Sequence, residues 1–125
     1  GRTDWKVSAI SFGSWAIGGT WGDVDDDESI AALHHSLDLG VNFFDTAEMY
    51  SVPARQETYG STEKILGTWF KKTGKREEIV LASKIAGPNP NFKYMREKLD
   101  FSPASIKLRI EIGGNKVSKF LLDLN

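Results

Sequence analysis

The chain contains no cysteine, which excludes a disulfide framework and any thiolate-bound metal centre. It has no apolar run approaching the ~20 residues that a membrane-crossing helix requires, and its N-terminus lacks the basic start and apolar core of a secretory signal. A soluble cytoplasmic protein is the expectation. An excess of one charge is missing as well. The 16 basic and 17 acidic side chains are interspersed and leave a net charge of -1, so there is neither a basic stripe for nucleic acid nor a polybasic patch for a membrane surface. Neither partner is expected. Histidine is confined to His34 and His35, neighbours that point about 100° apart on a helix, with no acidic residue spaced for joint ligation. No metal site is expected. The glycines form neither G-x-G-x-x-G nor a phosphate-binding loop, so no Rossmann domain is implied. Internal repeats are absent, and the one biased tract is the acidic run Asp25 to Glu28.

What is present is an alternation of short hydrophobic segments with amphipathic ones. Val7 to Trp15 is rich in β-branched and aromatic residues and runs into the glycines Gly18, Gly19 and Gly22, which predicts a strand leading into a loop. Asp25 to Leu39 reads as a helix. Asp25 and Glu28 have capping-box spacing, Ile30, Leu33 and Leu37 share a face, and Gly40 supplies the stop. Val41 to Ala47 is a second strand, followed by a long polar connection. A second helix spans Ser61 to Thr73, with Ile65, Leu66, Trp69 and Phe70 as its apolar face, Lys71 and Lys72 at its negative end, and Gly74 after it. Lys75 to Glu78 is a charged turn, and Ile79 to Ala86 is a third strand. Pro88 and Pro90 make the segment after Gly87 a loop, and Ser102 with Pro103 opens a third helix through about Glu111. Strands and helices joined by short turns argue for βα units and a parallel sheet.

Three side chains at the strand ends carry chemistry. Asp45 closes the second hydrophobic segment, Tyr50 lies in the loop beyond it, and Lys84 lies at the end of the third. A phenol with an ordinary pKa near ~10 exchanges protons sluggishly at neutral pH unless a cation beside it stabilises the phenolate. Lysine can be that cation, and a carboxylate beside the lysine keeps it charged and aimed. Asp45, Lys84 and Tyr50 therefore have the composition of a relay ending in a phenolic general acid. Strand parity supports their convergence, because Val41, Phe43 and Asp45 alternate onto one face and Val80, Ala82 and Lys84 onto one face. Both faces are expected to point into one apolar interior. Singly, each residue also has a plainer reading: a turn or cap aspartate, a half-buried surface tyrosine, a solvated lysine. Tyr59 has the wrong spacing from Asp45 to be the reacting phenol. Glu63 is placed either to anchor the loop or to favour the positive end of the second helix.

The pattern D-x-A-x-x-Y (Asp45, Ala47, Tyr50), then G-S-T-E (Gly60 to Glu63), then A-S-K (Ala82 to Lys84) resembles the aldo-keto reductases. The insertion Ser51 to Glu63 is similar to the NADP(H)-dependent bacterial and plant subgroup, and the likeness extends over Lys6 to Gly19 and Phe101 to Ile106. The resemblance implies a TIM barrel, of which this α/β chain would be the N-terminal half, with about four parallel strands and three helices in one partial domain, residues 1–125. It implies NADP(H) as cofactor and a small carbonyl compound as substrate. Asp45, Tyr50 and Lys84 would be catalytic, and Gly13, Ser14, Trp15 and Asp45 would lie against the cofactor, near the nicotinamide. Hydride transfer to a carbonyl carbon would be matched by proton donation from Tyr50, with Lys84 supporting the phenol, Asp45 holding Lys84, and a histidine orienting the carbonyl.

That histidine belongs to a D-L-x-x-x-H pattern. Phe120 to Leu124 is the expected fourth strand, with Asp123 and Leu124 standing for D-L, and the chain reaches Asn125 three residues before the histidine would fall. The family's S-L-x-R-L-G-T-D segment is replaced here by residues around Gly113 and Gly114. A complete TIM barrel takes about 250 residues, so four strands would leave an open sheet edge that invites self-association. Two other readings stand beside the enzyme: a catalytically inactive truncated fragment, and a regulatory subunit like the potassium-channel beta subunits that share this fold.

Overall fold

In a computed structural model, residues 3–19, 22, 24–84, 102–104 and 107 are described. Five elements organise them: β1 (Phe12–Gly13), α1 (Asp26–Asp38), β2 (Phe43–Asp45), α2 (Ser61–Thr73) and β3 (Val80–Ala82), with a 3₁₀ turn at Arg76–Glu78 before β3. The strands form one parallel sheet in the order β1-β2-β3. This is the α/β arrangement predicted above, with a helix between each pair of neighbouring strands. Pro103, Ala104 and Lys107 are helical, at the expected start of a third helix. The remainder of that helix, the loop from Pro88 to Asp100 and the strand Phe120 to Leu124 lie outside the described residues.

Both helices begin and end where their sequences say they should. The Asp25 carboxylate accepts from the Glu28 amide at 2.8 Å, satisfying one of the amide donors that a helix start leaves open. At the other end the chain leaves through Gly40, whose φ of 87° favours glycine. Gly74 likewise adopts the left-handed conformation after α2 and donates to the Phe70 carbonyl at 2.8 Å. His34 and His35 both lie on α1. His34 has an acidic neighbour one turn on, with its Nε2 3.7 Å from Asp38 Oδ2. Among the described residues no group of three or more metal-ligating side chains occurs.

The core is an aromatic stack that ties the sheet to α2. Phe44 of β2 lies almost parallel to Trp69, ring centroids 5.6 Å apart, and Phe12 and Phe70 extend the stack on either side at 5.2 and 5.1 Å. Leu33 from α1, Ile65 and Leu66 from α2, and Ile17 and Ile79 from the loops complete it. Burying one such large side chain stabilises by roughly 1.5–3 kcal/mol, so Phe44 fixes which way β2 faces. The alternation along the strand then turns Phe43 and Asp45 to the opposite face. In the β2–β3 register Phe43 stands beside Val80 and Asp45 beside Ala82.

This differs from the parity expectation in one respect. The continuous core lies under Phe44 and Leu81, not under the face that carries Asp45. Val41 packs with that core too, because it precedes β2 and does not follow the strand's alternation. The first strand is also much shorter than Val7 to Trp15. Asn42 explains why. Its Oδ1 accepts from the Ser8 amide, its own amide donates to Ser8 Oγ, and its Nδ2 donates to the Lys6 carbonyl. A side chain thus stands in for the ladder, and Lys6 to Ser8 runs beside β2 without becoming strand. Among the described residues no helix is long and apolar enough to cross a membrane.

Candidate active site

Three short hydrogen-bonded connections place the site at the C-terminal ends of β2 and β3. Beyond the strands proper, the Thr46 amide donates to the Ala82 carbonyl at 2.8 Å and the Glu48 amide to the Lys84 carbonyl at 2.9 Å. The pairing therefore continues past both strands and sets Lys84 beside the chain that leaves Asp45. On the other side, Ser14 donates through both its amide and its hydroxyl to the Asp45 carbonyl, at 2.9 and 2.8 Å. The Asp45 main chain is thus held by β1 while its carboxylate remains available.

That carboxylate meets Lys84. The Lys84 Nζ donates to Asp45 Oδ1 at 2.6 Å and to the Thr46 carbonyl at 2.8 Å, and it sits 5.0 Å from the centroid of the Tyr50 ring. Charge-assisted bonds of this length are among the stronger ones, and a cation at that distance from an aromatic face is attracted to it. Burial pushes the Lys84 amine toward neutrality. The Asp45 hydrogen bond and charge, followed by the same two effects from Tyr50, outweigh burial and hold Lys84 above the usual lysine value. Both side chains of the ion pair remain partly open, 51% for Lys84 and 39% for Asp45. The ammonium therefore stays charged at neutral pH while facing solvent at the sheet end.

The loop bearing Tyr50 is fastened at several points. The Tyr50 amide closes a turn on the Ala47 carbonyl at 3.0 Å. Ser51 Oγ and Ser61 Oγ both donate to the Gly18 carbonyl, at 2.9 and 2.7 Å, the Val52 amide donates to the Trp15 carbonyl at 3.3 Å, and Thr62 Oγ1 donates to the Ile17 carbonyl. The loop after β1, the loop after β2 and the start of α2 are therefore one unit. Gly18 and Gly19 are required there. A Cβ on Gly18 would lie 2.7 Å from Ser61 Oγ, and one on Gly19 would lie 2.9 Å from Ser51 Cβ.

Asp45, Lys84 and Tyr50 come together, as the spacing predicts. The β1-end residues divide. Among the described residues nothing lies within 4 Å of where a Gly13 Cβ would project, and Trp15 is 44% exposed. Ser14 is fully buried, with its hydroxyl given to the Asp45 carbonyl, and its observed contact is structural. Glu63 lies in the first turn of α2 and accepts from Ser83 Oγ, just past β3, at 2.6 Å. Sequence reasoning passes over Glu48. This buried carboxylate accepts from the Tyr59 hydroxyl at 2.6 Å, and the one available signal is an acid placed among apolar and small residues between Asp45 and Tyr50.

Comparison with known proteins decides the family. The family model described as the aldo/keto reductase family matches residues 9–111. This chain belongs to the aldo/keto reductases. Protein tas of Escherichia coli K12 is 40% identical over 86 residues, covering 69% of this chain and 24% of that protein. The aldo-keto reductase yakc [NADP(+)] of Schizosaccharomyces pombe is 31% identical over 118 residues, covering 94% of this chain and 32% of that protein. Among solved structures, a Pseudomonas aeruginosa protein assigned to the aldo-keto reductases superposes with a TM-score of 0.65 at 28% identity, covering 97% of this chain and 40% of that one. The chain thus spans about a quarter to a third of these two curated relatives. Its sheet and helices correspond to the N-terminal part of the reductase barrel.

Proposed function

We propose that this chain carries the proton-donating part of an NADP(H)-dependent oxidoreductase site that reduces small aldehydes or ketones to alcohols. The single observation behind the reading is the Lys84 ammonium, bonded to Asp45 Oδ1 at 2.6 Å and set against the Tyr50 ring. Tyr50 is the general acid that delivers its proton to the carbonyl oxygen. Lys84 stabilises the negative charge left on the phenol oxygen, and Asp45 keeps Lys84 charged and directed. Gly13 and Trp15 supply the surface next to Asp45 on which the cofactor ring would rest. A bound reduced nicotinamide supplies the hydride. The choice of NADP(H) follows the wording of the yakc relative's name, and a cytoplasmic setting belongs to the same reading.

Turnover of a panel of aldehydes and ketones, followed by NADPH oxidation, tests it with Tyr50→Phe. That substitution removes the proton and leaves the ring, so turnover should fall by roughly 10²–10⁴, the worth of general acid catalysis, while NADPH binding followed by fluorescence is retained. Unchanged turnover refutes the assignment. Absence of both binding and turnover in the unsubstituted chain favours the inert fragment instead.

A further inference from the structure

We propose that Glu48 and Tyr59 form a positioning pair that holds the Tyr50 phenol against Lys84, an inference that rests on Tyr50 being the proton donor. Glu48 lies between Asp45 and Tyr50, is only 8% exposed, and accepts a 2.6 Å hydrogen bond from the Tyr59 hydroxyl. Burying a carboxylate is costly unless its oxygens are hydrogen-bonded, and the Tyr59 hydroxyl meets part of that requirement at Glu48. Two connections meet at this residue and a third at its neighbour. Its amide donates to the Lys84 carbonyl at 2.9 Å, its neighbour Ala47 receives the Tyr50 amide at 3.0 Å, and its carboxylate reaches the far end of the loop at Tyr59.

Tyr59 immediately precedes Gly60, from which α2 starts. The Glu48–Tyr59 bond therefore draws the two ends of the connection between β2 and α2 together, with Tyr50 inside the closed loop. The Ser51 and Ser61 hydroxyls, which share the Gly18 carbonyl, fix the loop from the side of β1. Without Glu48–Tyr59 the segment would keep that anchor and the Glu48 amide bond to the Lys84 carbonyl, and would lose the side-chain tie between its two ends. Tyr50 would then swing relative to an ammonium that Asp45 and the Thr46 carbonyl hold in place. Neither Glu48 nor Tyr59 is assigned contact with the substrate, so both act through Tyr50.

Fluorine NMR of the chain labelled with 3-fluorotyrosine tests this. The sequence has 3 tyrosines, and Tyr50→Phe and Tyr59→Phe spectra assign them. Replacing Lys84 by Met shifts the Tyr50 resonance, and the size of that shift reports how close the ammonium lies. In a Tyr59→Phe background the Lys84→Met shift should shrink by at least half. In a Glu48→Gln background, where the amide oxygen still accepts from Tyr59, it should keep most of its size. In parallel, Tyr59→Phe should lower carbonyl turnover by roughly 10–10²-fold, the scale of a misplaced reacting group, with little change in NADPH affinity.

An undiminished Lys84→Met shift in the Tyr59→Phe background overturns the inference and leaves the proton-donor reading intact, because the spectrum does not depend on turnover. Loss of the folded fluorine spectrum in both Tyr59→Phe and Glu48→Gln also overturns it, since the bond would then be holding the fold rather than the phenol. If the resonance responds as expected while Tyr50→Phe leaves turnover unchanged, the positioning stands and the proton-donor reading fails.

Discussion

Gly18 offers the sharpest quantitative test of how the site is built. Gly18→Ala should destabilise the chain by two separable effects. Its φ of 76° is a conformation that costs an alanine about 1–2 kcal/mol. The added Cβ would also sit 2.7 Å from Ser61 Oγ, 3.0 Å from Ile65 Cδ1 and 3.2 Å from the Ser61 main-chain carbon. Ser61 Oγ could rotate away, but it would forfeit its bond to the Gly18 carbonyl, and the Ser61 backbone cannot yield without moving the start of α2. Overpacking of this kind costs about 1–3 kcal/mol, for a total of about 2–5 kcal/mol. Gly40 is the control, because its φ of 87° is equally demanding and, among the described residues, nothing lies within 4 Å of its Cβ position. Gly40→Ala should therefore lose about 1–2 kcal/mol. Urea unfolding followed by tryptophan fluorescence separates the two. With a slope of roughly 1–3 kcal/mol/M, the Gly18 midpoint should fall below the Gly40 midpoint by on the order of 1 M. Equal midpoints would refute the claim that the β1 loop is clamped against α2.

Three further outcomes follow from other parts of the molecule. Asp45→Asn removes the charge that, with the Asp45 hydrogen bond and the two Tyr50 effects, offsets burial at Lys84, so the Lys84 amine should titrate at lower pH by carbon NMR of its Cε. An unmoved midpoint would mean that Asp45 is not the cause. Because the folded Lys84 value is raised, the pair's stabilisation is fully present below the unfolded lysine value of about 10.4 and disappears as pH rises through the folded one. Alkaline unfolding should accordingly be less steep in Asp45→Asn, by a small margin given the exposure of the pair. Trp69→Ala should cost about 3–5 kcal/mol, and Trp69→Phe clearly less, since the indole Nε1 is buried without a hydrogen-bond partner among the described residues and a phenyl ring removes that donor; thermal melts of the two variants check the order. Asp25→Ala should cost about 1 kcal/mol through the lost α1 cap, with Asp25→Asn restoring most of it in the same measurement.

The helices were the most legible part of the sequence, for reasons visible in their residues. α2 begins at Ser61 and ends at Thr73 as its apolar spacing and Gly74 indicate, and α1 follows its Asp25 cap and Gly40 stop. Strand limits were less legible because apolar character marks a segment but not its partner. Val7 looks like strand in sequence, yet it is exposed beside a segment that Asn42 pairs through its side chain. At the site, the ionic contact between Asp45 and Lys84 was legible because strand alternation and hydrogen-bond register bring both to one end of the sheet. Ser14 and Glu48 were not. Ser14 bonds to a main-chain oxygen, and Glu48 bonds to a tyrosine whose spacing from Asp45 gives no reason to single it out. Such contacts depend on how three loops meet, which no periodicity encodes.

The pair of hydrogen bonds that the Ser14 amide and hydroxyl donate to the Asp45 carbonyl separates scaffold from chemistry. The position is secured through an atom that every amino acid possesses, so the sheet end should tolerate a different functional group at residue 45 without losing its register. An engineer could install an amide, a longer acid or an imidazole there and expect the neighbouring lysine and phenol to receive it in the same place, making this position a natural socket for redesigning proton delivery.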